Sequence, residues 1–170
     1  MIWKTVKNTD LSVVEKLQIA ELKNQYWPYG IASQIRWMKD NIQKNDVHLM
    51  GEEIDSSAIL KAYITLSDLN IVVDGKSNSS IGIGGVCVDA ALQHSGVGKQ
   101  LMEAANRYIE TQRKMGVLLC KNNLIGFYKK CGWKQLSFQT AVVAGFKYKY
   151  NIMSFNSDCS CSEITIDRNF

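Results

Sequence analysis

Runs of apolar or alternating residues fall at positions 2–6, 48–50, 58–65, 70–73, 79–88 and 117–120, and predict strands. Between them apolar residues recur at helical spacing. Val13, Val14, Leu17, Ala20 and Leu22 predict a first helix, capped by Asp10 or Ser12. It should stop before Trp27-Pro28-Tyr29-Gly30, which holds the only proline of the chain. A second helix is expected over 31–42, with Ile35, Trp37, Met38 and Ile42 available to pack. The turn-rich piece 74–80 separates two strands, as in an antiparallel meander.

Val97, Leu101, Ala104, Ala105 and Tyr108 mark one face of a third helix, reaching about Lys114 and ended by Gly116. Asn122 or Asn123 caps a short fourth helix to Lys130, with Gly132 as its stop. Strands are expected at 133–138, 141–146 and 147–154, a polar loop at 156–162 and a last strand at 163–167. Neither repeats nor a linker interrupt the order. It predicts a mixed α/β (α+β) fold, one domain over 1–170 with a single, mostly antiparallel mixed sheet flanked by helices.

Composition adds bounds. At 170 residues, 46% hydrophobic and 21% charged, the chain can bury a continuous core. The net charge of +4 is mild and scattered, apart from Lys129–Lys130 and Lys147–Lys149, so no nucleic-acid face is expected. No apolar run is long enough to span a membrane, and the first residues lack a signal-peptide core. The five cysteines are odd in number and follow no disulfide spacing. Cys159-Ser160-Cys161, with His48 and His94 remote, is too little for zinc, so no metal is expected. A cytoplasmic, reducing setting and a monomer or homodimer follow as the simple expectation.

The chemistry concentrates at 86–99. An apolar strand, Val86-Cys87-Val88, is followed by Gln93-His94-Ser95-Gly96-Val97-Gly98-Lys99 opening a helix. Two glycines there let backbone N–H groups converge beside a helix N-terminus, which favours an anion. Spacing excludes two common phosphate loops. A Walker loop wants glycine at 93 and Ser or Thr at 100, where Gln93 and Gln100 stand. A dinucleotide fingerprint wants a third glycine at 101, where Leu101 stands; the pair Gly82 and Gly84 fails likewise at Cys87.

Two ordered motifs resemble the GNAT superfamily of acyl-coenzyme-A-dependent N-acetyltransferases. One is Val86-x-Val88 followed by Gln93-x-x-Gly96-x-Gly98; the other is Phe127-Tyr128-x-x-x-Gly132-Trp133. Together they cover about residues 80–138. The resemblance implies acetyl-CoA as cosubstrate, its pyrophosphate met by the N–H groups from His94 to Lys99, with Gln93 at the border. It implies that the strand Val86–Val88 splays from the next short strand, Val117–Leu119, leaving free backbone groups for the pantetheine arm, and that a backbone N–H near Val88 polarises the thioester carbonyl. It also implies Tyr128 as the general acid that protonates the departing thiolate.

Departures from the family pattern are specific. Ala90 replaces a common proline and His94 a common glycine. The asparagine that relatives place seven residues before the tyrosine is Lys121 here, leaving Asn123 as the candidate for that contact. Members resembling aminoglycoside 2′-N-acetyltransferases carry a glutamate base before the Val-x-Val segment, but this chain has Gly84-Gly85. Asp74, Asp89, Glu52, Glu53, Asp167, the Phe170 carboxylate and a water relay stay open as bases. Gly84 and Gly85 leave room for a bulky acceptor, and Trp27 and Tyr29 fall where the family builds its acceptor wall. Alternatively, those two aromatics only close the core. Cys120, near a helix start, is a candidate for a depressed pKa. With no histidine near it in sequence, direct attack of an amine is the expected mechanism. The expected function is N-acetylation of a small-molecule primary amine; the alternative is a non-catalytic acyl-CoA sensor of the same fold.

Overall fold

The computed structural model describes residues 1–53, 59–157 and 160–170. Its contacts gather into two compact units, Met1–Ser67 with Gly84–Ala105, and Asp68–Ile83 with Asn106–Phe170. Strands β3 (Leu60–Val73) and β4 (Lys76–Val88) and helix α3 (Val97–Thr111) contribute residues to both. Every strand belongs to one mixed, mostly antiparallel sheet, as the element order predicted.

In the first unit β1 (Ile2–Lys7) pairs antiparallel with β2 (Val47–Glu52), from Ile2 opposite Glu52 to Lys7 opposite Val47. β2 in turn pairs antiparallel with the start of β3. Helix α1 (Val13–Asn24) begins in a capping box. The Ser12 hydroxyl accepts from the Glu15 amide at 3.2 Å, and the Ser12 amide donates to the Glu15 carboxylate at 2.8 Å. Ser12, not Asp10, is therefore the cap. Helix α2 (Ile31–Asn41) follows. Ile19, Leu22, Met38, Met50 and Tyr63 form the core of this unit.

The buried face of α1 differs from the predicted one. Val13 and Val14 are 73% and 64% exposed, while Ile19, Ala20, Leu22 and Lys23 are buried. Only the last two turns of the helix meet the core, and the stripe they present includes a lysine.

In the second unit the strand order is β6-β9-β5-β4-β3-β10-β7-β8. Here β5 is Met115–Cys120, β6 Lys134–Gln135, β7 Thr140–Val143, β8 Phe146–Lys147, β9 Asn151–Phe155 and β10 Glu163–Ile166. β4 and β5 run parallel, from Ser80 opposite Met115 to Ile83 opposite Leu118, where their register ends. β5 and β9 are antiparallel, as are β3 and β10, while β10 and β7 are parallel. Leu69, Ile71, Val117, Ile152, Ile164 and Ile166 fill the core.

Several expected boundaries move. Residues 58–65 and 70–73 are one strand, β3, apart from Ala58, which lies outside the described residues. The turn is only Asp74-Gly75, with φ of 46° and 76°, the paired positive values of a two-residue hairpin turn. Gly116 does not end α3; it lies inside β5, where a Cβ would come within 2.7 Å of the Trp133 ring. Arg113, at φ 53°, makes the exit instead. The strands expected over 133–154 are the shorter pieces β6 to β9. Neither Asn122 nor Asn123 caps α4 (Ile125–Lys130), because both lie in a 3-10 turn before it. The Asn122 side chain instead accepts from Asn151 at 2.6 Å.

Candidate active site

β4 ends at Val88, and the next residue is held from two sides. The Asp89 carboxylate pairs with Lys61 at 3.0 Å and accepts from the Ala91 amide at 3.0 Å. Those hydrogen bonds, from Lys61 first, hold its pKa below the ordinary carboxylate value. Such an engaged carboxylate is the cap of the turn that follows. Asp74 is likewise occupied, accepting from the Ser162 and Glu163 amides, and Glu52 pairs with Lys4.

After a 3-10 turn, Ala90–Leu92, the loop 93–96 is exposed throughout. His94 and Gly96 have positive φ, 61° and 89°, and of the expected donors His94 to Lys99 the Ser95 and Lys99 amides are taken up inside the loop, by the Leu92 and Gly96 carbonyls. The amides of His94, Gly96, Val97 and Gly98 donate to no described backbone carbonyl. Val97 and Gly98 open α3, 15 residues long, so their N–H groups carry the positive end of a full helix dipole. Lys99 follows, 65% exposed at its side chain and 3.7 Å from Glu103. Four amides without a backbone acceptor, a helix N-terminus and one lysine in an exposed loop are the donor set that a pyrophosphate needs, and they fit coenzyme A.

The residues that follow α1 secure this loop. The Tyr26 hydroxyl donates to the Val88 carbonyl and accepts from the Gln93 side-chain amide at 2.7 Å. The Ala90 amide donates to the Gln25 side chain at 3.0 Å. Sequence reading passed over Gln25 and Tyr26, because the adjacent Trp27-Pro28-Tyr29 drew the aromatic signal. Trp27 packs against the core of its unit, as the plainer expectation held. Tyr29 does not close the core, being 73% exposed.

Further back on β4, Val86 and Val88 are half-buried and Cys87 is buried. Burial pushes the Cys87 thiol up to about 12, so it stays protonated at neutral pH. Gly84 is buried and Gly85 adopts φ 60°. A Cβ at Gly85 would lie 3.4 Å from the Tyr63 ring and 3.7 Å from the Thr65 hydroxyl.

In the second unit Tyr128 lies in α4, 5% exposed, with its ring edge-on to Phe127 at 5.1 Å. Burial raises its pKa, with the neighbouring Cys120 and Cys131 adding to the shift, so the phenol keeps its proton. Asn123 is exposed in the 3-10 turn ahead of α4. The predicted site residues thus fall into two groups, 27–29 and 84–99 in one unit, Asn123 and Tyr128 in the other. Cys120 does not have a depressed pKa: burial raises it. Cys87, Cys120, Cys131 and Cys161 are buried, and Cys159 lies outside the described residues. Among the described residues no three His, Cys, Asp or Glu groups gather to hold a metal ion.

Residues 53–135 match the acetyltransferase (GNAT) domain family. That match spans 83 of the chain's 170 residues. Solved structures agree in fold. ElaA of Escherichia coli superposes with a TM-score of 0.66 at 20% identity, covering 91% of this chain and 99% of that one. An aminoglycoside 6′-N-acetyltransferase complexed with coenzyme A gives 0.63 at 15% identity, covering 91% and 96%. The GNAT family N-acetyltransferase YhbS of Escherichia coli, in complex with CoA, gives 0.65 at 11%, covering 96% and 88%. Among curated proteins the sequence has no match. The GNAT match contains both the 86–99 loop and Tyr128, whereas Gln25 and Tyr26, which secure the loop, lie ahead of it.

Proposed function

We propose that the protein transfers the acetyl group of acetyl-CoA to the primary amine of a small molecule by direct attack. The observation that carries this reading is the exposed loop 93–96, with positive φ at His94 and Gly96 and with the His94, Gly96, Val97 and Gly98 amides donating to no described backbone carbonyl. The GNAT domain match, with neighbours of the same fold solved with coenzyme A, supports the coenzyme A pyrophosphate as that anion.

In this mechanism the amides of His94, Gly96, Val97 and Gly98 hold the pyrophosphate, with Lys99 adding charge. Ser95 shapes the loop, its hydroxyl donating to the Leu92 carbonyl at 2.6 Å. The backbone of Val86, Cys87 and Val88 lines the pantetheine arm, and Asn123 touches the same arm. Bound acetyl-CoA supplies an activated thioester carbonyl. As the amine nitrogen bonds to that carbon and the carbon–sulfur bond breaks, Tyr128 delivers its phenolic proton to the sulfur. The raised pKa suits this step, because the phenol is fully protonated at pH 7. Gly84 and Gly85 leave the acceptor side open, and Tyr29 stands exposed for a sugar or aromatic amine to stack on. Amino sugars head the acceptor classes because one neighbour of the fold is an aminoglycoside acetyltransferase. Polyamines and amino acids follow.

The test is free-thiol release from saturating acetyl-CoA across a panel of these amines, with the product confirmed by mass. Release with at least one amine class supports the reading. Tight CoA binding with no release would instead favour a non-catalytic acyl-CoA sensor, a reading that the missing acidic residue at Gly84-Gly85 keeps in play.

A further inference from the structure

Asn151 opens β9 directly opposite Cys120, the last residue of β5. The two edges of β5 therefore end differently. Its pairing with β4 stops at Ile83 opposite Leu118, whereas its pairing with β9 runs to the final residue. The side chain of Asn151 carries that hold past the end of the strand. Its amide donates to the Cys120 carbonyl at 3.3 Å and to the Asn122 side-chain oxygen at 2.6 Å. Its own side-chain oxygen accepts from the amide of Gln135, on β6, at 2.9 Å. Three amide side chains, from Gln135 through Asn151 to Asn122, thus link two neighbouring strands to the 3-10 turn Asn122–Leu124.

These bonds set direction as well as contact. Because Gln135 donates to the Asn151 oxygen, the Asn151 nitrogen faces the turn, where its two N–H groups meet two acceptors. The turn has no side-chain cap at its start, and neither has α4 behind it. Asn123 is the next residue of the same turn and is exposed, so a displacement of Asn122 passes to it directly. Tyr128 has a separate support, being buried in α4 with its ring against Phe127. Gln135 and Asn122 are themselves exposed, and hydrogen bonds between exposed amides add little to stability. Their effect is to fix where the turn stands.

We propose that Asn151 is a positioning residue for the coenzyme, holding the turn so that Asn123 meets the pantetheine arm. This rests on the acetyl-CoA reading above. Pantetheine is built of amide groups, which an amide side chain at a fixed place can recognise by giving and taking hydrogen bonds. Asn151 acts through Asn122 and the turn and makes no contact of its own with the arm. Fixing the turn before binding removes an ordering cost that the arm would otherwise meet. The tie therefore sets affinity for the arm and leaves the proton delivery by Tyr128 unchanged.

The test separates the arm from the rest of the coenzyme. Wild type, Asn151→Ala, Asn122→Leu and Asn122→Asp are titrated calorimetrically with CoA and with 3′-phosphoadenosine 5′-diphosphate, which lacks the arm. Asn151→Ala and Asn122→Leu should bind CoA about tenfold more weakly, with the Kd for the fragment changed less than about twofold. Asn122→Asp keeps an oxygen for the Asn151 amide and should stay within about twofold of wild type for both ligands. With an accepted amine, the two weakened variants should raise the KM for acetyl-CoA about tenfold at unchanged kcat. Wild-type CoA affinity in Asn151→Ala, equal losses for CoA and the fragment, or an aspartate variant as weak as the leucine one would each overturn the proposal. If Asn151→Ala does not fold, the two variants at the exposed Asn122 decide. A wild type that binds CoA but transfers to no amine would defeat the transfer reading alone. One that binds neither ligand would defeat the coenzyme reading, and this proposal with it.

Discussion

The Gln93 side-chain amide and the Tyr26 hydroxyl meet at 2.7 Å, joining the first residue of the candidate phosphate loop to the turn that follows α1. The same hydroxyl donates to the Val88 carbonyl, so one phenol ties the close of β4 to the start of the loop.

Removing that phenol should loosen the loop without unfolding the unit. For Tyr26→Phe we expect CoA to bind about fivefold more weakly, the equivalent of about 1 kcal/mol for a lost hydrogen-bonded tie. Isothermal titration checks this, and an unchanged Kd would detach Tyr26 from the loop.

Gly96 tests the loop conformation itself. A Cβ added there meets nothing within 4 Å, so any cost is conformational and comes from its φ of 89°. Gly96→Ala should cost about 1–2 kcal/mol of stability and weaken CoA binding. Urea denaturation with stability equal to wild type would mean that the positive φ is not required.

Tyr128→Phe should lower kcat at least about tenfold and leave the Kd for CoA unchanged. Because burial raises the phenol's pKa, the loss should stay constant from pH 6 to 9. An unchanged kcat over that range would remove the acid role.

How much of this was legible in the sequence depends on how local each signal is. Gln93, Gly96 and Gly98 announce the loop because their spacing encodes a backbone conformation, and Tyr128 sits at a fixed offset from Gly132. The strand and helix order followed from periodicity and breakers. What could not be read was decided by tertiary contacts. Val13 and Val14 fit a helical stripe, yet the core meets only the last two turns of α1, so Lys23 is buried and they are not. Gly116 looked like a helix stop because nothing local reveals the Trp133 ring packed over it. Tyr26 and Gln25 act across more than 60 residues of sequence, beyond any spacing rule.

His48 makes the first unit sensitive to acid. Its Nδ1 lies 2.7 Å from the Tyr63 hydroxyl and its Nε2 3.1 Å from Asn8 Oδ1. The Asn8 side-chain amide donates to Ile42, so Oδ1 is the acceptor and the histidine proton sits on Nε2. Burial holds the folded pKa at about 4, against 6.5 ordinarily. The unfolded chain therefore binds a proton that the folded one refuses, and stability is lost as pH falls from 6.5 towards 4. The loss should reach roughly 2–3 kcal/mol by pH 4.5. Urea midpoints for wild type and His48→Leu should converge across that range; parallel curves would remove His48 as the cause.

The central claim is that the loop from Gln93 into α3 binds the pyrophosphate of coenzyme A. Amide chemical shifts of the 15N-labelled protein titrated with acetyl-CoA test it most directly. The account predicts the largest shifts at His94, Gly96, Val97 and Gly98, saturating together with a single Kd. Saturable binding that leaves those four amides unmoved would contradict it.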